Sequence, residues 1–486
     1  MIEFRDVTFF YGEETAPSVD GVSLKIDKGE TVVLCGESGC GKSTMTRLIN
    51  GLIPHFHEGK LGGEVLYDGK RTTDMRLYEL SEHVGSVFQD PRTQFYNVES
   101  TVELAFGCEN LGVPPEEIEQ RITRTATRFG LEELLDRNLF AMSGGEKQRI
   151  ACGSVDATNP ETLVLDEPSS NLDLFAIHDL AQVVQRWRDD GKTLVIAEHR
   201  IFYLVDLADR FIYIRDGRIE REFRPDELRT LSPEALEDLG LRAPDPWKLA
   251  PRAEARGSGK SLSLRSLKCI TRGRRRLSIP ELTLPRGEII AVIGRNGAGK
   301  TTLARTLCGL EKTGSGVLGI DGATHDIRKR RDLVYMVMQD VNHQLFTEDV
   351  ISELLLSMDG TDPDAEQKRA MEILRSLDLD DKSGRHPMSL SGGEQQRVAI
   401  GSAIAAGREI LILDEPTSGL DHKRMTQVAD YLTAMSADGK TVLVITHDIE
   451  LVLRCCSHAI YLVDGEVAQK SRMDETGAQQ LREFFE

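Results

Sequence analysis

The chain has 486 residues, more than the roughly 250–300 at which a single hydrophobic core stops growing, so at least two domains are expected. Its 40% hydrophobic and 29% charged residues describe an ordinary globular composition, not a disordered or fibrous one. With 79 acids against 60 bases, the net charge of −19 argues against a protein that works chiefly by coating nucleic acid.

The N-terminus, Met1 to Asp6, carries acids where a signal peptide would carry bases, which predicts a cytosolic chain. The first strong element is Thr31–Leu34, a continuous apolar run expected of a strand buried on both faces. It leads through a glycine loop into a helix over Ser43–Ile49. The segment 98–142 is strand-poor, with helical spacing over Glu116–Phe129, and predicts a helical subdomain. Leu163–Leu165 and Thr193–Ile196 are two further buried strands. Three prolines in Arg242–Pro251, then Gly, Ser and Ala, read as a linker over 243–259 that does not pack as an element. Beyond it the order repeats: strand Ile289–Ile293, helix Thr301–Leu307, helical spacing over Ala365–Leu377, strands Leu411–Leu413 and Thr441–Ile445. Domains over 1–242 and 260–486 follow, each α/β with a largely parallel core sheet. The longest apolar runs are strand-length, well short of the roughly 20 residues that cross a bilayer. The eight cysteines form no Cys-x-x-Cys and read as reduced thiols.

Self-similarity is the decisive feature. Gly36, Glu37, Ser38, Gly39, Cys40, Gly41, Lys42 and Ser43 return as Gly294, Arg295, Asn296, Gly297, Ala298, Gly299, Lys300 and Thr301. Ser143, Gly144, Gly145 and Glu146 return as Ser391, Gly392, Gly393 and Glu394, with a constant offset of 248 that also relates Asp166 to Asp414 and His199 to His447.

Each repeated group has a chemistry. In G-x-x-x-x-G-K-[S/T], backbone N–H groups and a helix N-terminus face phosphates, and the glycines let the ligand approach closely. Lys42 and Lys300 neutralise phosphate oxygens, Ser43 and Thr301 ligate Mg²⁺, and Thr44 and Thr302 follow at the helix start. Asp166 and Asp414 end buried strands, where an Asp holds Mg²⁺ in nucleotide sites. Alone, such Asp-Glu pairs are mostly caps or solvated turns; the glycine loops upstream reverse that weighting. Glu167 and Glu415 are placed to polarise a water. His199 and His447 end a third strand near the same edge, which favours a γ-phosphate contact over a plain structural role. Gln89 and Gln339 follow apolar strands within reach of Mg²⁺ or water. Ser143-Gly-Gly and Ser391-Gly-Gly at helix starts form a second anion cradle, surplus within one domain unless the copies face head to tail. An ordinary capped helix is the alternative reading.

Together, and in this order twice, these residues resemble Walker A, Q-loop, signature, Walker B, D-loop (Ser170–Asp173, Ser418–Asp421) and switch histidine. The chain is similar to a pair of fused ATP-binding cassette (ABC) ATPases. The resemblance implies an α/β fold with an N-terminal antiparallel part and a helical subdomain per copy, and an intramolecular cassette pair that closes on two ATP·Mg²⁺. It pairs Lys42, Ser43, Gln89, Asp166, Glu167 and His199 with Ser391, Gly392 and Gly393. The second site pairs Lys300, Thr301, Gln339, Asp414, Glu415 and His447 with Ser143, Gly144 and Gly145. Tyr11 resembles the family's adenine-stacking aromatic; the second copy lacks one, with Arg272 or Arg274 as substitutes.

A narrower resemblance is to energy-coupling-factor (ECF) importer ATPases. It rests on Gln89-Asp-Pro-Arg-Thr-Gln94 before Thr101-Val-Glu-Leu-Ala-Phe106, on Gln339-Asp-Val-Asn-His-Gln344 before Val350-Ile-Ser-Glu-Leu354, and on the Ala-Glu-His199-Arg switch. It implies vitamin or metal-ion uptake, with a transmembrane coupling protein and a small substrate-binding membrane protein as partners. The chain would then sit on the cytoplasmic face of the membrane without inserting, and would bind no nucleic acid. The alternative is a soluble tandem-cassette translation factor on ribosomes, which would carry a long charged linker between cassettes. A DNA-repair cassette would need a coiled-coil insertion.

Overall fold

The computed structural model describes residues 1–252, 259–271, 274–360 and 362–485. By compactness it divides into Met1–Pro246 with Gly419–Lys423, and Trp247–Ser418 with Arg424–Glu486.

In the first unit, Thr31–Cys35 is buried along its whole length and lies inside a six-stranded sheet. The order is Arg218–Phe223, Arg210–Arg215, Thr31–Cys35, Thr193–Ala197, Thr162–Asp166, Val84–Val87. All pairings are parallel except the outermost, Arg218–Phe223 on Arg210–Arg215. Val19–Ile26, Ile2–Tyr11, Gly59–Tyr67 and Lys70–Arg71 form a separate antiparallel sheet.

The apolar runs are continuous because both faces of the parallel sheet are covered. Successive side chains of a strand point to opposite faces. Val32, Leu34, Val164, Val195 and Ile212 pack into a core shared with the antiparallel sheet. Val33, Cys35, Leu163, Leu165, Leu194 and Ile196 pack with Ile150, Val184 and Trp187 of the helices. Each such aliphatic side chain contributes about 1.5–3 kcal/mol by leaving water.

The expected helical segment holds Ser100–Asn110 and Pro115–Phe129, and the helix Gly144–Thr158 follows it. A buried carboxylate pins it: Asp156 accepts from Thr125 Oγ1 at 2.7 Å and from Trp187 Nε1 at 2.9 Å.

The second unit repeats the plan. Its parallel strands run in the order Val334–Val337, Ile410–Asp414, Thr441–Ile445, Ile289–Ile293, His458–Val463, with Glu466–Arg472 antiparallel at the edge. Ser261–Thr271 pairs with Arg274–Pro285 and Ser315–Ile320 in the antiparallel sheet. Its helices are Val350–Leu356, Pro363–Ser376 and Gly392–Ala405. The offset between copies falls from 258 at Lys42/Lys300 to 250 at Gln89/Gln339 and 248 at Ser143/Ser391. Most of the shortening therefore precedes the Gln loop, where the first copy carries the extra turn Leu52–His55.

Two details depart from expectation. Both loop helices start one residue early, at Lys42 and Lys300. The proline-rich stretch also packs. Ala243 and Pro246 are buried, Pro246–Lys248 forms a 3-10 turn, and the Trp247 ring lies 6.4 Å from Phe485. Proline's fixed φ suits a turn, and the indole brings apolar area that an extended linker would expose. Residues 253–258 of that stretch, and Arg272, lie outside the described residues; the Arg274 side chain does too. All eight cysteines are buried free thiols. Among the described residues no helix is long and apolar enough to cross a membrane.

Candidate functional site

Adjacent parallel strands end at one edge, and in open α/β sheets that edge binds ligands. In the first unit Thr31–Cys35, Thr193–Ala197, Thr162–Asp166 and Val84–Val87 are consecutive neighbours. The glycine loop, His199, the Asp166–Glu167 pair and Gln89 therefore meet at their C-terminal ends.

The loop leaves no room for side chains at its ends. Gly36 has φ +143°, and a Cβ there would lie 2.2 Å from Ile214 O and 2.9 Å from Cys40 Sγ. Gly41, at φ +108°, would meet Ser18 O at 2.4 Å. Above Gly39 there is nothing within 4 Å, so the middle of the loop is open. Gly36→Ala should lower the thermal stability of the first unit by roughly 2–4 kcal/mol, and Gly39→Ala by only about 1 kcal/mol. Differential scanning calorimetry separates the two; equal losses would contradict the crowding at Gly36.

Lys42 folds back over the loop and donates to Gly36 O at 3.0 Å and Glu37 O at 2.9 Å. Asp421, in the same compact unit, accepts from the Ser38 amide at 2.8 Å, so a loop N–H already holds an anionic oxygen. Burial pushes the Cys40 thiol up, against the pull of Lys42.

Asp166 Oδ1 accepts from Ser43 Oγ at 2.9 Å. Burial, helped by the Glu167 charge, raises Asp166 to about 6. Glu167 has φ +45°, a left-handed conformation that costs a non-glycine residue about 1–2 kcal/mol. That turn sends its carboxylate away from Asp166 toward Gln89 Nε2 at 2.8 Å and His199 Nε2 at 3.2 Å. Burial pushes Glu167 up, but the His199 hydrogen bond and charge outweigh it and hold the carboxyl below its usual range. His199 Nε2 is also 3.3 Å from Ser38 Oγ.

The second unit builds the same group. Lys300 donates to Gly294 O at 2.6 Å and Arg295 O at 3.2 Å. Thr301 Oγ1 donates to Asp414 Oδ2 at 2.9 Å, and burial raises Asp414. Glu415 repeats the left-handed backbone at φ +51°, with Oε1 3.4 Å from His447 Nε2. Lys300 Nζ also lies 2.9 Å from His447 Nε2. Gln339 follows Val334–Val337 just as Gln89 follows Val84–Val87.

The Ser-Gly-Gly-Glu segments start helices, each closed by a capping box. Ser143 N donates to Glu146 Oε2 at 2.7 Å while Ser143 Oγ accepts from Glu146 N at 3.3 Å. In the second copy, Ser391 N and Oγ donate to Glu394 Oε2 at 2.8 and 2.9 Å, and Lys382 pairs with the same glutamate. Despite partial burial, these bonds hold Glu394 at about 2, against 4.5 ordinarily. The box therefore contributes fully above about 4.5 and is lost as pH falls through about 2. Tyr11 ends the strand Ile2–Tyr11, with its hydroxyl 3.3 Å from Thr44 Oγ1 and accepting from Arg47 Nη1 at 2.8 Å.

The ABC transporter family model matches residues 19–170 and again 277–418, which together make up more than half of the chain. The chain belongs to the ABC transporter ATP-binding family. It contains two cassettes. It is 41% identical over 478 residues, covering 97% of each chain, to a Treponema denticola protein named "Putative ABC transporter ATP-binding protein". A Saccharolobus solfataricus protein of the same description is 31% identical over 514 residues, covering 100% of this chain and 96% of its own. Among solved structures, "Model of ribosome-bound archaeal Pelota and ABCE1" covers 99% of this chain and 80% of its own at a TM-score of 0.72 and 22% identity, a likeness of fold.

The cassette residues suit the family's nucleotide. Each loop offers backbone N–H groups, a lysine and open space over its middle glycine, Gly39 or Gly297. Each cassette sets one hydroxyl against one carboxylate, hard oxygens that suit Mg²⁺, which takes most of its remaining ligands from phosphate and water.

Sequence reasoning missed two features of these cassettes. One is Glu198, buried at 1% exposure beside His199. The other is the pair Glu103 and Glu353, which hold the segment after each Gln loop. Glu103 accepts from Tyr96 N at 3.1 Å and Asn97 N at 2.8 Å; Glu353 accepts from Phe346 N at 3.1 Å and Thr347 N at 3.0 Å. Their recurrence seven residues after an aromatic was a usable signal.

Proposed function

We propose that the chain is the ATP-hydrolysing motor subunit of an ECF-type importer, peripheral on the cytoplasmic face of the membrane. Its partners are a transmembrane coupling protein and a small substrate-binding membrane protein. Lys42 and Lys300 hold the β/γ-phosphates; Ser43, Gln89, Asp166 and Thr301, Gln339, Asp414 hold Mg²⁺, which neutralises phosphate charge. Glu167 and Glu415 polarise the attacking water, and His199 and His447 steady the γ-phosphate. The Ser-Gly-Gly segments complete each other's sites head to tail, because one phosphate loop already serves each copy. Tyr11 stacks on the adenine of the first site. The cassette domains are 1–242 and 260–486, joined through 243–259.

The observation that carries the membrane-protein reading is an exposed apolar set repeated in both cassettes. Tyr96 (79% exposed) and Phe140 (68%) in the first cassette correspond to Phe346 (72%) and Met388 (51%) in the second. Tyr96 also stacks on Phe106 at 5.0 Å, whose counterpart Leu356 is exposed. Large apolar side chains held out in water mark protein-contact surfaces, and an RNA surface would need a cluster of bases instead. The loops that present them are fixed from behind. Gln94 Oε1 accepts from Phe88 N at 3.3 Å and Gln344 Oε1 from Met338 N at 3.1 Å.

A photo-crosslinking residue at Tyr96 or Phe346 in living cells tests this. The expected adduct is with a multispanning membrane protein; an adduct with ribosomal protein or RNA would replace the importer with the translation-factor reading.

A further inference from the structure

We infer that Glu198 in the first cassette and Asp448 in the second are positioning residues for the switch histidines, each tying the histidine's strand end to the segment that follows the strained glutamate.

The two residues do not align. Glu198 precedes His199, whereas Asp448 follows His447; the position equivalent to Glu198 is Thr446 and that equivalent to Asp448 is Arg200. Yet each buried carboxylate reaches the same place. Glu198 Oε1 accepts from His199 N at 2.8 Å and Arg200 N at 3.1 Å, and Oε2 from Ser169 N at 3.3 Å and Tyr203 Oη at 3.0 Å. Arg200 Nη1 adds a bond to Leu172 O at 3.3 Å. In the second cassette the equivalent of Ser169 is Thr417, and its Oγ1 donates to Asp448 Oδ2 at 2.7 Å. Asp448 Oδ1 accepts from Leu451 N at 3.3 Å, and Asp448 N donates to Thr446 Oγ1 at 3.0 Å.

A carboxylate is tolerated at such burial only when donors surround it, and an apolar residue would fill either space more readily. Two different bonding schemes that both link 169 or 417 to the histidine strand point to the linkage itself as what is kept. Its consequence is the shared geometry of histidine and glutamate, 3.2 Å in one cassette and 3.4 Å in the other. Neither carboxylate needs to touch the nucleotide; each acts through the histidine and the glutamate's turn.

The inference rests on these histidines and glutamates acting on ATP, as proposed above. The test uses the purified full chain with two variants: Glu198→Gln combined with Asp448→Asn, and a graft of the second scheme into the first cassette, Ser169→Thr/Glu198→Thr/Arg200→Asp/Tyr203→Leu. Changing both cassettes in the first variant makes the reading independent of how the two sites influence each other. The double variant should lose about 10-fold or more in kcat, the scale of a misplaced catalytic group, with KM for ATP within about 2-fold and an unchanged unfolding midpoint. The graft should keep kcat within about 3-fold of the parent, because the replaced linkage is rebuilt. A folded double variant with parental kcat would overturn the inference. So would kcat and KM shifting together with a lowered midpoint, or a folded graft as slow as the double variant. If the double variant does not fold, the graft decides alone. An inactive parent chain would instead overturn the ATPase reading.

Discussion

Replacing both Glu167 and Glu415 by Gln will reduce steady-state phosphate release by about 10²–10⁴-fold, the usual contribution of a positioned general base. ATP binding should survive, because the glutamine keeps the size of the side chain and the loop lysines stay in place. The double variant should therefore retain ATP through gel filtration where the parent chain releases ADP. The structure gives the reason for assigning these two residues and not their neighbours. Asp166 and Asp414 are already turned onto the Ser43 and Thr301 hydroxyls, whereas the left-handed backbone at 167 and 415 swings the next carboxylate toward the histidine. Turnover within about 3-fold of the parent in the double variant would remove both glutamates from the reaction.

The second large effect is on binding. Lys42→Ala with Lys300→Ala should weaken ATP binding by at least about 10-fold per site, from losing a charge-assisted bond worth about 1.5–3 kcal/mol. Equilibrium dialysis with labelled ATP measures it. The two lysines should not behave alike in turnover. Among the described residues Lys42 bonds only the loop carbonyls and the Cys40 sulfur, whereas Lys300 also contacts His447 Nε2. Lys300→Ala alone should therefore depress kcat more than Lys42→Ala alone at saturating ATP. Unchanged ATP affinity in the double variant would contradict the loops' assignment.

The glycine loops, the strand-end aspartates and the buried strands of the parallel sheets were legible in the sequence because each depends on local pattern. Glycines at fixed spacing, a lysine and a hydroxyl follow a continuous apolar run, and such runs arise only where both faces of a strand are covered. What stayed hidden depends on neighbours far along the chain. Glutamate has no preference for positive φ, so nothing at 167 or 415 signalled a left-handed turn. Glu198 reads as a surface residue beside a histidine until the fold closes Ser169 and Tyr203 over it. The Ser-Gly-Gly-Glu segments read either as anion cradles or as ordinary capped helix starts, and the capping boxes that close each helix emerge only with the side-chain geometry. The proline-rich stretch reads as a linker that does not pack as an element, yet Trp247 finds Phe485 more than 200 residues away.

The claim that the chain drives a membrane-embedded partner is tested most directly by fractionating cells that carry the tagged full-length chain at its native level, with a high-salt wash before mild detergent extraction. The account predicts that the chain stays with membranes through the wash and elutes with a multispanning protein and a small hydrophobic one. Recovery with ribosomes, or only in the soluble fraction, would contradict it.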